Sequence, residues 1–304
     1  MIWNDVYFQP EAQDPVLDPA HVLEVARRHA PQVSSVLQVD ESGGEARSYL
    51  LDDEIVLKTQ RPHRLRPRTN LAKESFILTE LARISELPVP RVIGYGKEGQ
   101  LEYILMTRMP GVALEHITLE GEARVQVLRR LGELLWSLHH LDQGRFLTTD
   151  LISGDRDAAD LRARLIAALD RLDTAMPATA EWPSDLAPAA LGATLVPPLA
   201  EDVPLVVLHS NPGPEHVFVD PRSGHFTGVI DFGDAYRSHP ALDLRPWRDR
   251  EDAEALLDGY RSAGPLPPGF ETVRRAALVI TEIGLVARGR TDPRTGAKRV
   301  RSLI

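Results

Sequence analysis

Cysteine is absent from the 304 residues. Disulfides, thiolate zinc sites and cysteine nucleophiles are thereby excluded. Long apolar runs are lacking too, and none reaches the roughly 18 residues of a membrane-spanning helix. There is no excess of positive charge, the formal net charge being -9. That argues against nucleic acid or an anionic membrane as the main partner. No internal repeat or low-complexity tract occurs. The opening segment MIWNDVYFQPEAQDP carries acids early and has no apolar centre, so it does not read as a signal peptide. A soluble, cytoplasmic protein is expected.

What is present suits a large globular chain. Hydrophobic residues make up 43%, enough for a sizeable core, and the 26% of charged residues is ordinary. A helix is predicted from Asp18-Pro19, a capping residue followed by proline at the first helical position. VSSVLQVD, RSYLL and EIVLKT read as strands, with a glycine turn at ESGGEA and a second turn at Asp52-Asp53. A basic loop, QRPHRLRPRTN, leads to a helix from Asn70 with Ile77, Leu81 and Ile84 on one face. PVPRVIGYG and LEYILMTRM give two more strands. After Pro110-Gly111 the texture turns helical, with Val125, Leu128, Leu131, Leu135 and Leu138 at helical spacing. VPLVVLHS is an apolar strand, and VFVD pairs with TGVIDFGD as a hairpin.

The chemistry concentrates in residues 208–244, LHSNPGPEHVFVDPRSGHFTGVIDFGDAYRSHPALDL. A strand delivers His209 to a polar loop ending at His216, and the hairpin then delivers Asp231-Phe232-Gly233. Phosphoryl transfer needs such a set: ligands for a divalent cation and a group that orients the acceptor hydroxyl. The segment resembles the aminoglycoside phosphotransferase and choline kinase family, whose loop reads H-G-D-x-x-x-x-N followed by I-D-F/W-G-D. The likeness extends over most of the chain from Val33 onward.

The resemblance implies an α+β, bilobal, protein-kinase-like fold. Residues 1–107 would form a nucleotide-binding lobe of antiparallel sheet and helix. Residues 108–304 would form a mostly helical catalytic and acceptor-binding lobe, with 151–200 a helical insertion at the acceptor site. The implied cofactors are ATP or GTP as phosphate donor and Mg2+, with a small-molecule acceptor as partner. Asp231 takes the metal-ligand and catalytic position. His216 stands at the other metal-ligand position, where the family carries Asn and some relatives His. Asn211 stands where the family carries its catalytic Asp. An amide orients a hydroxyl but cannot take its proton near neutral pH, and loss of a general base costs on the order of 10²–10⁴ in rate. Slow transfer is therefore expected, with Asn211→Asp raising it, unless another group such as Glu215 serves as base. Two functions stay open, a small-molecule kinase or a nucleotide-binding pseudokinase.

Lys58, on the third strand, is the residue that pairs with nucleotide phosphates in kinase-like folds, and Glu74 on the next helix is its carboxylate. Gly43 and Gly44 lie where a phosphate-covering loop belongs. Met106-Thr107-Arg108-Met109 is the implied hinge, with Thr107 and Met109 meeting the purine edge. His209 is expected to brace the loop through hydrogen bonds with Asp243, and Asp234 suits either site or scaffold. His139-His140 reads as a capping or packing pair. Arg61, Arg64, Arg66 and Arg68 read as a solvated loop. Asp155, Asp157 and Asp160 read either as a solvated face or as receivers of a cationic substrate.

Overall fold

The computed structural model describes residues 7–67, 69–176 and 182–304. Helix α1, Pro19–Arg27, begins where Asp18 accepts a hydrogen bond from the His21 N–H, as a capping residue should. Five antiparallel strands follow around it: β1 Val36–Asp40, β2 Ala46–Leu51, β3 Ile55–Gln60, β4 Val92–Glu98 and β5 Leu101–Thr107, in the spatial order β1-β2-β3-β5-β4. Asp52 and Asp53 both have positive φ, 46° and 62°, the geometry of a tight hairpin turn between β2 and β3. Strand alternation divides the sheet's side chains between two faces. Tyr49, Leu51, Leu57, Tyr103 and Leu105 pack under α1 with Val22, Val25 and Ala26. Ile104 and Met106 point the other way into the main core, with Ile77, Leu78 and Leu81 of helix α2, Leu71–Ile84.

Beyond β5 the chain is mostly helical: α3 Gly121–His139, α4 Ala158–Ala175, α5 Pro188–Leu195, α6 Arg250–Ala263, α7 Phe270–Ala287 and α8 Pro293–Leu303. Helices α3 and α6 cross closely. A Cβ at Gly132 would stand 2.2 Å from the Leu256 carbonyl oxygen, and one at Gly259 would stand 2.0 Å from that of Arg129. Short strands complete this part. β6 Val112–Ala113, β8 Val217–Val219 and β9 Phe226–Val229 form one antiparallel sheet, and β7 Val206–Leu208 pairs with β10 Tyr236–Ser238. The basic tail is the helix α8 packed on α7 through Ala297 and Val300. The expected fold class holds: an antiparallel sheet with a helix, then a mostly helical region. Among the described residues no helix is long and apolar enough to cross a membrane.

Candidate functional site

Lys58 lies mid-strand on β3, on the face opposite Leu57, so its side chain leaves the α1 side and enters a cleft. Its Nζ donates to Glu74 Oε2 at 2.8 Å and to Asp231 Oδ1 at 2.9 Å. Glu74 arrives from the first turn of α2, whose start Asn70 caps by accepting from the Lys73 N–H. Asp231 arrives just after β9 with φ at 71°, a strained value for a residue other than glycine. One ammonium thus ties together the sheet, α2 and the hairpin that are otherwise far apart in sequence.

The two carboxylates on this lysine differ. Burial opposes the charge on Lys58, but Asp231 and Glu74 outweigh it and keep its pKa above the ordinary lysine value. Burial raises the pKa of Glu74, with Lys58 acting against it. Burial pushes Asp231 the same way, yet Lys58 and His216 prevail and hold it well below the usual carboxylate range. The difference follows from partners: Glu74 has a hydrogen bond from the lysine alone, whereas Asp231 has the lysine and the His216 imidazole.

That imidazole is His216. Its Nδ1 lies 2.7 Å from the Asn211 carbonyl oxygen and its Nε2 3.3 Å from Asp231 Oδ2. Burial acts against a charge there, but the Asp231 carboxylate dominates and the pKa is pushed up to about 9. Asp231 and His216 converge as two donors. Among the described residues no group of three or more His, Asp or Glu side chains is arranged to hold a metal. Magnesium commonly takes one or two carboxylates and completes its shell with phosphate and water; Asp231 fits that use, and His216 can join it only by giving up the proton that Asp231 favours.

The loop from His209 to His216 is clamped from beneath. The His209 and Ser210 N–H groups donate to Asp243 Oδ2 and Oδ1 at 2.8 and 2.6 Å. His209 is thus braced by Asp243 through its backbone, while its ring Nε2 lies 2.9 Å from the Ile230 carbonyl oxygen. His139 in turn holds Asp243, Nε2 to Oδ2 at 3.0 Å, and the His140 ring stacks on Trp136. Arg245 donates to the Ser210 carbonyl and Trp247 Nε1 to that of Pro212, each at 2.8 Å. Asn211 projects from this clamp, its Nδ2 donating to Glu215 Oε1 at 3.1 Å.

All nine sequence-predicted site residues, Gly43, Gly44, Lys58, Glu74, Thr107, Met109, Asn211, His216 and Asp231, line one cleft of about 880 Å³. Gly43 is needed for a close approach, since a Cβ there would meet the Ala46 carbonyl oxygen at 2.6 Å, while Gly44 faces open space. At the implied hinge, the Thr107 N–H donates to the Arg91 carbonyl and the Arg108 N–H to that of Glu54.

Two expectations are corrected. The arginine-rich loop is solvated only in part: Arg64 is exposed, but Arg61 and Arg66 are engaged by acids. Arg61 is 7% exposed and donates to the carbonyls of Glu41 and Gly43 and to the carboxylates of Glu41 and Asp14. Arg66 pairs with Glu45 and Asp234, and Thr69 also donates to Asp234, which makes Asp234 a tie between the basic loop and the hairpin. Arg68 lies outside the described residues. Of the acidic trio, Asp155 departs from the solvated reading, being buried against Arg164 and Ser238, whereas Asp157 caps α4 and is exposed, and Asp160 pairs with Arg156. Two further residues were not singled out from sequence. Ser210 stands at φ 85°, where the family loop has glycine. Lys73, 1% exposed, reaches across from α2 to donate to the Ala235 carbonyl at 2.9 Å. Glu215, expected only as an alternative base, lies against Asn211, a contact that the open x positions of the loop pattern do not signal.

Residues 36–274 match the model of the phosphotransferase enzyme family. An aminoglycoside 3'-phosphotransferase of Streptomyces fradiae is 32% identical over 185 residues, which span 57% of this chain and 66% of that protein, just under two thirds of its length. A macrolide 2'-phosphotransferase from Brachybacterium faecium superposes with a TM-score of 0.64 at 23% identity, over 93% of this chain and 97% of its own. The GDP complex of aminoglycoside 2'-phosphotransferase-IIIa gives a TM-score of 0.68 at 14% identity, over 94% and 98%. At these identities the structural likeness speaks for the fold.

Proposed function

Because the chain belongs to the phosphotransferase enzyme family, we propose that it transfers the γ-phosphate of ATP or GTP to a hydroxyl group of a small molecule. The observation that carries this is the single lysine joining Glu74 and Asp231, with His216 and Asn211 beside it in one cleft. Lys58 meets the phosphates, held by Glu74. Asp231, with His216 in its deprotonated form, would hold a magnesium ion, which would supply charge neutralisation at the phosphates. Gly43 and Gly44 bring backbone N–H groups over the phosphates. At Thr107 the N–H is already used, so a purine contact falls to its carbonyl, with Met109 beyond it.

In this reading the part up to residue 107 holds the nucleotide, the part from 108 to 304 presents the acceptor, and 151–200 shapes the acceptor's pocket. The names of the relatives support aminoglycosides and macrolides as first acceptors to try, and the GDP complex supports a purine nucleotide. A cytoplasmic location follows from the use of nucleoside triphosphate. The test is transfer of labelled γ-phosphate to kanamycin, gentamicin, streptomycin, a macrolide, amino alcohols and sugars, with Asp231→Ala as control. Transfer that needs magnesium and is lost in a folded Asp231→Ala protein is expected. A second reading, a nucleotide-binding pseudokinase, is favoured by Asn211 and predicts magnesium-dependent nucleotide binding with no turnover.

A further inference from the structure

Glu215 lies four residues beyond Asn211, yet its carboxylate folds back along the loop. A Cβ built on Gly213 would stand 2.5 Å from Glu215 Oε2 and 2.8 Å from Oε1, so the carboxylate occupies space that only glycine leaves open. The Gly213 N–H donates to the Asn211 carbonyl at 2.8 Å, which closes the loop and brings the two side chains together. A carboxylate accepts hydrogen bonds and cannot donate them. The Asn211 group 3.1 Å from Glu215 Oε1 is therefore its NH2 end. The His216 Nδ1 stands on the same side, 4.0 Å from Oε1. Glu215 is 39% exposed and lines the cleft that holds Lys58 and Asp231. A carboxylate thus stands beside position 211 although residue 211 itself is an amide.

We propose that Glu215 is the proton acceptor of the transfer reaction and that Asn211 holds it in place. This rests on the phosphotransferase reading above. Asn211 anchors Oε1, and Oε2 receives the hydroxyl proton of the acceptor. As that proton leaves, the acceptor oxygen uses a lone pair to form a bond to the γ-phosphorus. The bond from that phosphorus to the bridging oxygen breaks, and its electron pair departs with the nucleoside diphosphate. Glu215 returns the proton to water once product has left. The slow transfer that an amide at 211 alone would give is thereby relieved.

The experiment compares wild type, Glu215→Gln, Asn211→Asp and the double variant. Each is given labelled ATP or GTP with magnesium and the acceptor panel, and water serves as the background acceptor. Nucleotide affinity and melting temperature are measured alongside. Glu215→Gln keeps an oxygen for the Asn211 NH2, so the loop should hold its shape. It is expected to lose about 10²-fold in kcat, within the range of a lost general base, with nucleotide affinity unchanged. Glu215→Asp withdraws the carboxylate by one methylene and is expected to lose less. Asn211→Asp alone should gain less than about tenfold, yet it should recover about tenfold or more when added to Glu215→Gln. A packing role for Glu215 would not produce that rescue. A wild-type rate in Glu215→Gln overturns the proposal while leaving phosphoryl transfer intact, as does a gain of about 10²-fold in Asn211→Asp alone. Absence of turnover in wild type and Asn211→Asp alike overturns the transfer reading and this proposal with it.

Discussion

Ser210 holds a left-handed backbone, φ 85°, that costs an L-residue about 1–2 kcal/mol. Its hydroxyl is buried and has no hydrogen-bond partner among the described residues, a further cost. The conformation persists because the peptide is clamped by Asp243 on its N–H and Arg245 on its carbonyl. Ser210→Gly relieves both costs, partly offset by the greater chain freedom of glycine when unfolded. A gain of about 1 kcal/mol in urea unfolding is expected, and a loss of stability would show the hydroxyl to be in use. Lys58→Ala acts on the other side of the cleft. It should weaken ATP or GTP binding at least tenfold by calorimetry, and binding unchanged from wild type would remove the lysine from the site. It should also lower stability, since Glu74 is left buried without its cation. Lys58, Glu74, His216 and Asp231 were legible in sequence because their order and spacing follow a family pattern. Ser210 was not, and Glu215 was legible only as an alternative base, not as a partner of Asn211. The spacing of a motif says nothing of a φ angle or of a side chain that folds back over a glycine.

At the level of elements, the turn carrying Gly43 is held from outside itself. Arg61 reaches it from the loop after β3, donating to the carbonyls of Gly43 and Glu41 at 3.0 and 3.3 Å. Arg47 secures Glu41 and Asp14 from β2. Arg61→Ala should therefore release the turn. Faster amide hydrogen exchange at residues 41–45 is expected, with a several-fold loss of nucleotide affinity, while α2 and β3 keep their protection. Exchange at 41–45 equal to wild type would show that the turn holds itself. Strands and helices of this region were readable from their periods of two and 3.6 residues. The arginine's role was not, because its partners lie far off in sequence, Asp14 being 47 positions away. A run of Arg and Pro looks solvated until the fold brings acids to it. The crossing of α3 on α6 was hidden for a similar reason: it depends on Gly132 and Gly259, which no helical pattern marks out.

At the scale of the whole molecule, acid stability turns partly on His239, which is fully buried in the helical region. Its Nδ1 accepts from the Ala241 N–H, and its Nε2 lies 2.8 Å from the Pro268 carbonyl, linking the loop after β10 to the approach to α7. A second proton would break the first bond and charge a buried ring. Burial accordingly lowers its pKa to about 4 from the ordinary 6.5. Between those values the unfolded chain binds the proton and the folded one does not, so stability rises with pH there. The contribution is complete above about pH 6.5 and lost as pH falls to about 4, amounting to a few kcal/mol at about 1.4 kcal/mol per unit. Carboxylates titrate in the same window, so the measurement is a difference. Urea midpoints of wild type should fall more steeply from pH 6.5 to 4.5 than those of His239→Asn, and parallel slopes would contradict the assignment.

The bond from Lys73 to the Ala235 carbonyl has a temporal consequence. It pegs α2 to the segment just after Asp231, and Glu74 on the same helix holds Lys58. A helix pegged in this way does not have to swing inward before a first turnover. Product should accumulate linearly from the moment of mixing, without a lag, and preincubation with a protein phosphatase should leave the initial velocity unchanged. On the proposed phosphotransferase reading, a site so assembled would be throttled by the supply of its substrates.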